Sequence, residues 1–243
     1  MRYGIISDIH SNLAALQAVL NHMGKVDGLW CVGDIVGYGP DPNECVEIIR
    51  EQAQVCIPGN HDWACVGKID TSEFNADAAQ ACLWTQQQLS AENRHYLSTL
   101  AETHTEGDFT LAHGSPANPI WEYLISVNSA KESFDHFWTS YCLVGHTHIP
   151  VIFQQEPKSK SVVKALHPQT DQPISLQGLR LIINPGSVGQ PRDGNPQASY
   201  AILDIDGETL EYRRVAYPIE TTQQKMVQAS LSPKLITRLT YGW

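Results

Sequence analysis

The sequence of 243 residues lacks any long apolar run. No stretch approaches the roughly 18 consecutive apolar residues that a membrane-spanning helix needs, so we expect no membrane association. Near its start the chain reaches the carboxylate of Asp8 after only two consecutive aliphatic residues, so we expect no secretion signal there. The six cysteines are far apart and form no C-x-x-C pair, which favours reduced thiols in a cytoplasmic protein.

Positive charge is also scarce. Lys and Arg number 16 against 26 Asp and Glu, so the net charge is −10 with histidine neutral. A surface of that sign repels a phosphate backbone, so we expect no broad binding of nucleic acid. Apolar residues make up 42% of the chain and charged residues 17%, which is typical of a folded globular protein.

Short apolar runs alternate with helical patterns in the first part of the chain. Five brief runs are predicted strands, at residues 3–6, 28–32, 54–57, 109–112 and 141–144. After the second run, Asp41 is predicted to cap a helix, with Glu44 completing a capping box. This alternation predicts an α/β fold in which neighbouring strands are parallel.

Two regions depart from the alternation. Residues 75–88 and 91–100 are predicted helices that meet at a Ser90 cap, and we interpret the region near 71–106 as a helical insertion. Beyond Pro150 the pattern indicates antiparallel strands, beginning with a hairpin around residues 158–160 inside an insertion near 150–179. The prediction is therefore a single domain over residues 1–243 that carries two insertions.

Side chains that bind metals or protons follow each of the five predicted strands. The carboxyl ends of parallel strands open into one crevice, so we expect these side chains to converge although they are far apart in sequence. The candidate residues are Asp8, His10, Asp34, Asn60, His61, His113, His146 and His148.

The spacing of these residues suggests how they would share ions. Asp8 and His10 are two residues apart, as are His146 and His148, so on extended backbone each pair faces one side. The first pair can hold one ion, and the second can reach two ions lying side by side. Asp34 stands alone after the second strand, where its two oxygens can bridge two cations and offset their repulsion. Oxygen and imidazole ligands without thiolate suit Mn²⁺, Fe, Zn²⁺ or Co²⁺.

The ordered set D-x-H, G-D, G-N-H-D, H-G and G-H-T-H resembles the calcineurin-like metallophosphoesterase superfamily. The resemblance covers nearly the whole chain and is closest to the small bacterial and archaeal phosphodiesterase-type branch. The segments 113–116 (H-G-S-P) and 184–187 (N-P-G-S) also look like that branch. The implied fold is a two-sheet β-sandwich flanked by helices, in four layers ordered α/β/β/α.

The resemblance also implies a site for two divalent metal ions that activate a hydroxide for attack on a phosphate ester. Manganese is the first candidate, with Fe, Zn, Co and Ni as alternatives. The implied ligands are Asp8, His10 and His148 for the first ion, Asn60, His113 and His146 for the second, and Asp34 as the bridge. His61 would stand near the leaving oxygen and donate its proton, so it is the candidate catalytic residue.

One difference from a motif of the superfamily narrows the range of expected substrates. In the phosphoprotein phosphatases the bridging aspartate is followed by V-D-R-G, whose aspartate orients the histidine; here Gly37 stands at that place and no arginine follows. This counts against a protein phosphatase and favours a small phosphodiester or nucleotide-type substrate. It leaves open what orients His61, because Asp62 is better interpreted as a cap at a helix entry.

Two other functions are compatible with the same residues. One is a phosphomonoesterase that uses the same site. The other is a non-catalytic, metal-bound scaffold on the same fold, like the retromer subunit that resembles this superfamily.

Three further side chains are candidates for the rim of the site. Arg192 is a candidate for clamping a substrate phosphate, with an ordinary solvated arginine as the alternative. Trp121 and Tyr123 are expected to pack in the core, with stacking on a nucleobase as the alternative. The number of subunits stays open.

Overall fold

The computed structural model describes residues 1–157 and 159–243, and the strands form two sheets of six. The strands are β1 Arg2–Ile6, β2 Gly28–Cys31, β3 Ala53–Cys56, β4 Thr103–Glu106, β5 Phe109–Ala112, β6 Tyr141–Leu143, β7 Val151–Glu156, β8 Ser159–Leu166, β9 Pro173–Ser175, β10 Arg180–Asn184, β11 Ala198–Asp204 and β12 Thr209–Val215. The α-helices are α1 Leu13–Met23, α2 Pro42–Gln52, α3 Asn60–Cys65, α4 Ala76–Gln88, α5 Ala91–Thr99, α6 Val127–Ser133, α7 Ile219–Gln228 and α8 Pro233–Tyr241, with a 3₁₀ turn at Phe134–His136.

The five strands predicted before the metal-type side chains are all present, but they are divided between the sheets. The first sheet has the order β3-β2-β1-β11-β12-β9, and the second has the order β4-β5-β6-β10-β7-β8. The pairs β1–β2, β2–β3 and β5–β6 are parallel, as predicted. Strand β11 runs antiparallel beside β1, so β5 and β6 belong to the second sheet and not to the first.

Alternation along the strands explains the layers. In β1, Ile5 packs into the cluster between the sheets, whereas the next residue, Ile6, packs against the helices on the outer face. In β6, Leu143 faces the same inter-sheet cluster, and Cys142 faces the outer cluster that includes Phe134. Each sheet therefore buries both faces, and the predicted two-sheet sandwich flanked by helices is confirmed.

The structure confirms some of the helix predictions and contradicts others. Helices α4 and α5 begin where predicted, and the side chain of Ser90 accepts a hydrogen bond from the backbone of Asn93. Residues 103–106 of the region interpreted as helical form strand β4 at the edge of the second sheet. The capping box at α2 is wrong: Asp41 makes no side-chain capping bond, because its carboxylate instead accepts a hydrogen bond from Lys225 of α7 at 2.7 Å.

The antiparallel pattern beyond Pro150 is present, with β7 and β8 paired as a hairpin. The turn predicted at residues 158–160 includes Lys158, which lies outside the described residues. The short strand β9 joins β12 of the first sheet rather than extending the hairpin. No helix among residues 1–157 and 159–243 has the length and apolar character to cross a membrane.

Candidate metal centre

Two groups of buried side chains meet where β1, β2, β5 and β6 end. Within each group, one metal-binding atom from every member lies within 4.8 Å of those of the others. The first group is Asp8, His10, Asp34 and His148, and the second is Asp34, His113 and His146. Each member is at most 2% exposed. The structure thus brings together six of the seven predicted ligands, in the two sets expected for two ions.

Asp34 joins the two groups through a single oxygen. Its Oδ2 lies 3.5 Å from Nε2 of His10 in the first group and 3.3 Å from Nε2 of His113 in the second. Its other oxygen, Oδ1, accepts a hydrogen bond from the backbone N–H of His61 at 2.9 Å. Oδ2 is therefore the atom placed between the two groups, whereas the sequence had suggested one oxygen for each ion.

Asn60, the seventh predicted ligand, lies at the first position of α3 and is 2% exposed. The preceding residue must be glycine, because a Cβ at Gly59 would lie 2.0 Å from Oδ1 of Asp34. The start of α3 therefore lies directly against the carboxylate of Asp34.

Backbone carbonyls set the tautomers of three histidines. Nδ1 of His10 faces the carbonyl of Val36 at 3.1 Å, and Nδ1 of His148 faces that of Gln190 at 2.6 Å. A carbonyl can only accept, so each Nδ1 carries the hydrogen and each Nε2 of a neutral ring presents a lone pair. His113 makes the same bond to the Val32 carbonyl at 2.7 Å. This arrangement is common around histidines that bind metal through Nε2.

The fit of a cation can be tested on the donor atoms themselves. The Nε2 atoms of His10 and His148 are 3.1 Å apart, and two lone pairs at that distance repel unless a proton or a cation lies near both. Five buried atoms of the predicted ligands also have no hydrogen-bond partner: Oδ2 of Asp8, Oδ2 of Asp34, Oδ1 of Asn60, Nε2 of His113 and Nε2 of His146. Buried polar atoms are normally satisfied, so this concentration of unsatisfied acceptors fits bound cations.

The backbone of the centre is strained in a way that the spacing argument did not foresee. Five predicted ligands have positive φ, in the region that L-residues rarely adopt: Asp8 (54°), His10 (50°), Asp34 (53°), His146 (66°) and His148 (60°). The expectation of extended backbone at the two i, i+2 pairs is therefore wrong, because both pairs lie in turns beyond the strand ends. Such strain is concentrated at functional sites, where the surrounding fold holds it.

Burial also shifts the protonation of the centre. Burial lowers the pKa of His146 to about 3 and raises the pKa of Asp8 to about 6. Burial lowers the pKa of His113 too, but Asp34 beside its Nε2 outweighs that effect and raises the pKa to about 9. A cation beside Asp34 would take the place of that proton.

Comparison with known proteins decides the family. The sequence model of the calcineurin-like phosphoesterase superfamily domain matches residues 1–208. The chain belongs to this superfamily. The crystal structure of a metallophosphoesterase from Sphaerobacter thermophilus is similar, with 47% identity and a TM-score of 0.92, covering 100% of this chain and 99% of that one.

Two sequence relatives place the chain within the superfamily. An uncharacterized protein of Methanocaldococcus jannaschii is 39% identical over 245 residues, which cover 98% of this chain and 97% of the relative. The phosphodiesterase YfcE of Escherichia coli is 27% identical over 218 residues, covering 85% of this chain and 89% of the relative. The predicted resemblance to the small bacterial and archaeal branch of the superfamily is confirmed.

His61, the predicted catalytic residue of the superfamily pattern, lies beside the first group. Its ring is 4.9 Å from the ring of His10 and 4.3 Å from that of Tyr38. Its Nδ1 faces the sulfur of Cys82, on α4, at 3.3 Å. Sequence reasoning missed Cys82, because a cysteine in a helical pattern is normally a small buried apolar residue.

The charge on His61 depends on the same neighbours. Burial by itself lowers the pKa of His61, but Tyr38, Cys82 and Asp34 outweigh that effect and raise the pKa to about 10. Asp62 is engaged elsewhere: its carboxylate accepts hydrogen bonds from the backbone N–H of Gly59 at 2.9 Å and of Val36 at 3.0 Å. The interpretation of Asp62 as a helix-entry cap agrees with these bonds.

The aromatic rim differs from the expectation of core packing. The ring of Tyr123 is 47% exposed and lies 3.7 Å, centre to centre, from the ring of His146. Trp121 packs on Phe74, whose own ring contacts His61 at 5.0 Å. The expectation that Tyr123 packs in the core is therefore wrong, since this half-exposed residue lies on the ring of His146.

Arg192 is held at the site rather than solvated. Its backbone N–H donates to the carbonyl of His148 at 3.3 Å, and its Nη2 donates to Oε1 of Gln190 at 2.8 Å. Its guanidinium carbon is 5.7 Å from the centre of the Tyr38 ring. A guanidinium in this position can reach an anion at the metal centre.

Proposed function

We propose that this superfamily member is a phosphoesterase with two metal ions that hydrolyses small phosphodiester or nucleotide-type substrates. The observation that carries the proposal is the single oxygen of Asp34 between two buried ligand groups, since a shared anionic ligand offsets the repulsion of adjacent cations. Mn²⁺ is the first candidate metal, and Fe, Zn²⁺, Co²⁺ and Ni²⁺ are the alternatives. The six free cysteines support a reducing, cytoplasmic location.

The residues of the chain divide the remaining work. Two divalent ions, when bound, would neutralise the phosphate oxygens and lower the pKa of a water so that it supplies hydroxide near neutral pH. Asp8, His10 and His148 would hold one ion, and Asn60, His113 and His146 the other. His61 would donate its proton to the departing oxygen, a contribution of about 10²–10⁴-fold in rate. Arg192 would bind a phosphate oxygen of the substrate.

Substrate specificity follows from the surroundings of the centre. The similarity of this chain to the phosphodiesterase YfcE supports the proposal that it cleaves diesters. The exposed ring of Tyr123 beside His146 offers a stacking surface for a nucleobase. The place of the phosphatase V-D-R-G arginine is taken by Tyr38, which argues against protein substrates.

One assay tests the proposal. Purified protein is stripped of metal, reloaded with Mn²⁺, and given bis-p-nitrophenyl phosphate and p-nitrophenyl phosphate in parallel. We expect the diester to be cleaved with the higher kcat/KM. Faster cleavage of the monoester would favour a phosphomonoesterase, and no cleavage of either ester with any of the five metals would favour a non-catalytic scaffold.

A further inference from the structure

The C-terminal helix α8 brings a second arginine to the edge of the metal centre. Nη1 of Arg238 donates to Oε1 of Gln190 at 3.1 Å, the same oxygen that receives Nη2 of Arg192 at 2.8 Å. Gln190 is 2% exposed, so a buried neutral amide holds two guanidinium groups side by side.

Neither guanidinium of this pair forms an ion pair with a carboxylate in the described part of the chain, although Arg213 pairs with two. Asp77 attracts Arg238 from a greater distance, but its carboxylate already accepts a hydrogen bond from Ser232. Two adjacent cations on a chain with an excess of acidic residues indicate a place for an anion.

Unsatisfied donors point to the same conclusion. Nε of Arg192 and Nε2 of Gln190 are both buried and have no acceptor. Together with the free N–H groups of the two guanidinium forks, they form a set of donors without acceptors. A phosphate, with several oxygens and a negative charge, can satisfy such a set.

The pair lies next to the metal centre but outside it. The backbone of Arg192 is bound to that of His148, a predicted ligand, and the guanidinium of Arg192 packs on Tyr38. The ring of Tyr38 in turn lies 4.7 Å from that of His10. An anion bound by the two arginines would therefore be a neighbour of the phosphate at the metals.

On the side away from Arg192, Arg238 lines a cavity. Arg238, Lys234 and Trp243 line an open cavity of about 590 Å³ between α8 and the start of α4. This volume is within the range of pockets that bind small ligands.

We propose that Arg192 and Arg238 bind a second phosphate of the substrate, linked directly to the one that is cleaved. The inference rests on the proposed phosphoesterase function and adds a substrate class: compounds with a phosphoanhydride link. The group attached to the second phosphate would extend into the cavity beside Lys234 and Trp243.

Hydrolysis of such a link is balanced without a further reactant. The oxygen of water joins the phosphorus at the metal centre, and the P–O bond to the bridging oxygen breaks. The bridging oxygen leaves on the second phosphate with the electron pair, and the two protons of the water pass to the product phosphates or to solvent. The guanidinium groups of Arg192 and Arg238 would stabilise the charge on that leaving phosphate.

The test compares ADP, used as its α,β-methylene analogue so that the link between the phosphates is not hydrolysed, with AMP, which lacks the second phosphate. Both are ligands of the Mn²⁺-loaded protein in calorimetric titrations. We expect the wild type to bind ADP about tenfold more tightly than AMP, the size expected for one charge-assisted contact. Arg238→Gln should remove this preference and leave the AMP affinity within about twofold. Arg2→Gln makes the same change in charge on an exposed residue of β1, so it should keep the wild-type preference.

The outcomes separate this inference from the proposed function. An ADP preference that survives in Arg238→Gln, or that is absent from the wild type, overturns the second-phosphate site while cleavage of bis-p-nitrophenyl phosphate still supports the phosphoesterase. Arg238→Lys keeps the positive charge but loses the guanidinium geometry, so it should retain part of the ADP preference. Circular dichroism checks that this variant is folded. Loss of AMP binding in Arg238→Gln would also contradict the inference, since it would place Arg238 at the first phosphate.

Discussion

The sulfur of Cys82 lies 3.3 Å from Nδ1 of His61, so the proposed proton donor is held by a thiol from helix α4. In phosphoprotein phosphatases an aspartate of V-D-R-G occupies this role, and Gly37 stands at its place here. The structure shows why: a Cβ at Gly37, where φ is +89°, would lie 2.6 Å from Nδ1 of His61. The ring of His61 lies against the backbone of Gly37, and the thiol of Cys82 on α4 contacts the same ring.

The first prediction concerns this contact. Cys82→Ala should lower kcat about 10- to 100-fold, because the ring of His61 loses the atom that positions its Nδ1 side. KM and metal content should stay unchanged, and Cys82→Ser should restore part of the rate. Cys142→Ala, a change at a thiol buried in the cluster outside the second sheet, is the control. Equal losses in the two alanine variants would mean that the effect is structural.

The second prediction concerns His61 itself. His61→Ala should keep both metals and lower kcat by about 10²–10⁴-fold, the contribution of a positioned general acid. The loss should be greater for an alkyl phosphodiester than for bis-p-nitrophenyl phosphate, because p-nitrophenolate leaves readily without a proton. His95→Ala, at an exposed site on α5, should behave as wild type. An identical loss with the two leaving groups would argue against proton donation by His61.

The third prediction concerns the shared oxygen of Asp34. Asp34→Asn should bind fewer metal ions per chain and lose activity, because a neutral amide offsets less of the repulsion between two cations. Elemental analysis after dialysis measures the metal content. Asp41→Asn, another buried aspartate that lies outside the two ligand groups, should retain wild-type metal content. Full metal occupancy in Asp34→Asn would refute the bridging role.

The fourth prediction concerns stability. Binding Mn²⁺ at about 100 times its Kd should stabilise the folded state by about 2.7 kcal/mol for one site, because the unfolded chain does not assemble the ligand groups. For a chain of this length the melting temperature should rise by about 5–10 °C, as measured by scanning calorimetry after removal of metal with EDTA. The increase should be smaller in Asp34→Asn. A melting temperature that is unaffected by any of the five metals would contradict a metal centre.

The fifth prediction tests the corrected role of Asp41. If its carboxylate pairs with Lys225 rather than capping α2, the variants Asp41→Asn and Lys225→Met should show a coupling of about 0.2–1 kcal/mol in a double-mutant cycle of urea unfolding. The coupling should decrease at high salt because the pair is partly exposed. Additive effects would show that the ion pair with Lys225 does not contribute to stability.

Sequence order was a sufficient guide to the residues that the structure groups together, since each motif follows a strand whose pattern is visible locally. Ile5 and Ile6 illustrate the limit of such patterns: the alternation shows that both are buried but not which partner each meets. The five predicted strands have similar patterns, so the sequence does not show which sheet each one joins. The division depends on β11, which pairs with β1, and on β10, which pairs with β6, and both come from late in the chain.

The details of the site depended on contacts between distant segments. Cys82 and Arg238 belong to no recognisable motif. Each lies near the candidate metal centre because its helix, α4 or α8, packs beside that centre. The positive φ of Asp34 also depends on its surroundings, and because this residue is not a glycine the sequence does not predict that backbone conformation.

The sequence alone therefore determined the superfamily, the order of the strands along the chain and the identities of the predicted ligands, because short-range patterns and residue types encode them. The tertiary structure decided which oxygen of Asp34 lies between the groups, which ring nitrogen each histidine presents, and what contacts His61. Those features depend on distances of a few ångströms between segments far apart in the chain, and only the packed fold sets such distances.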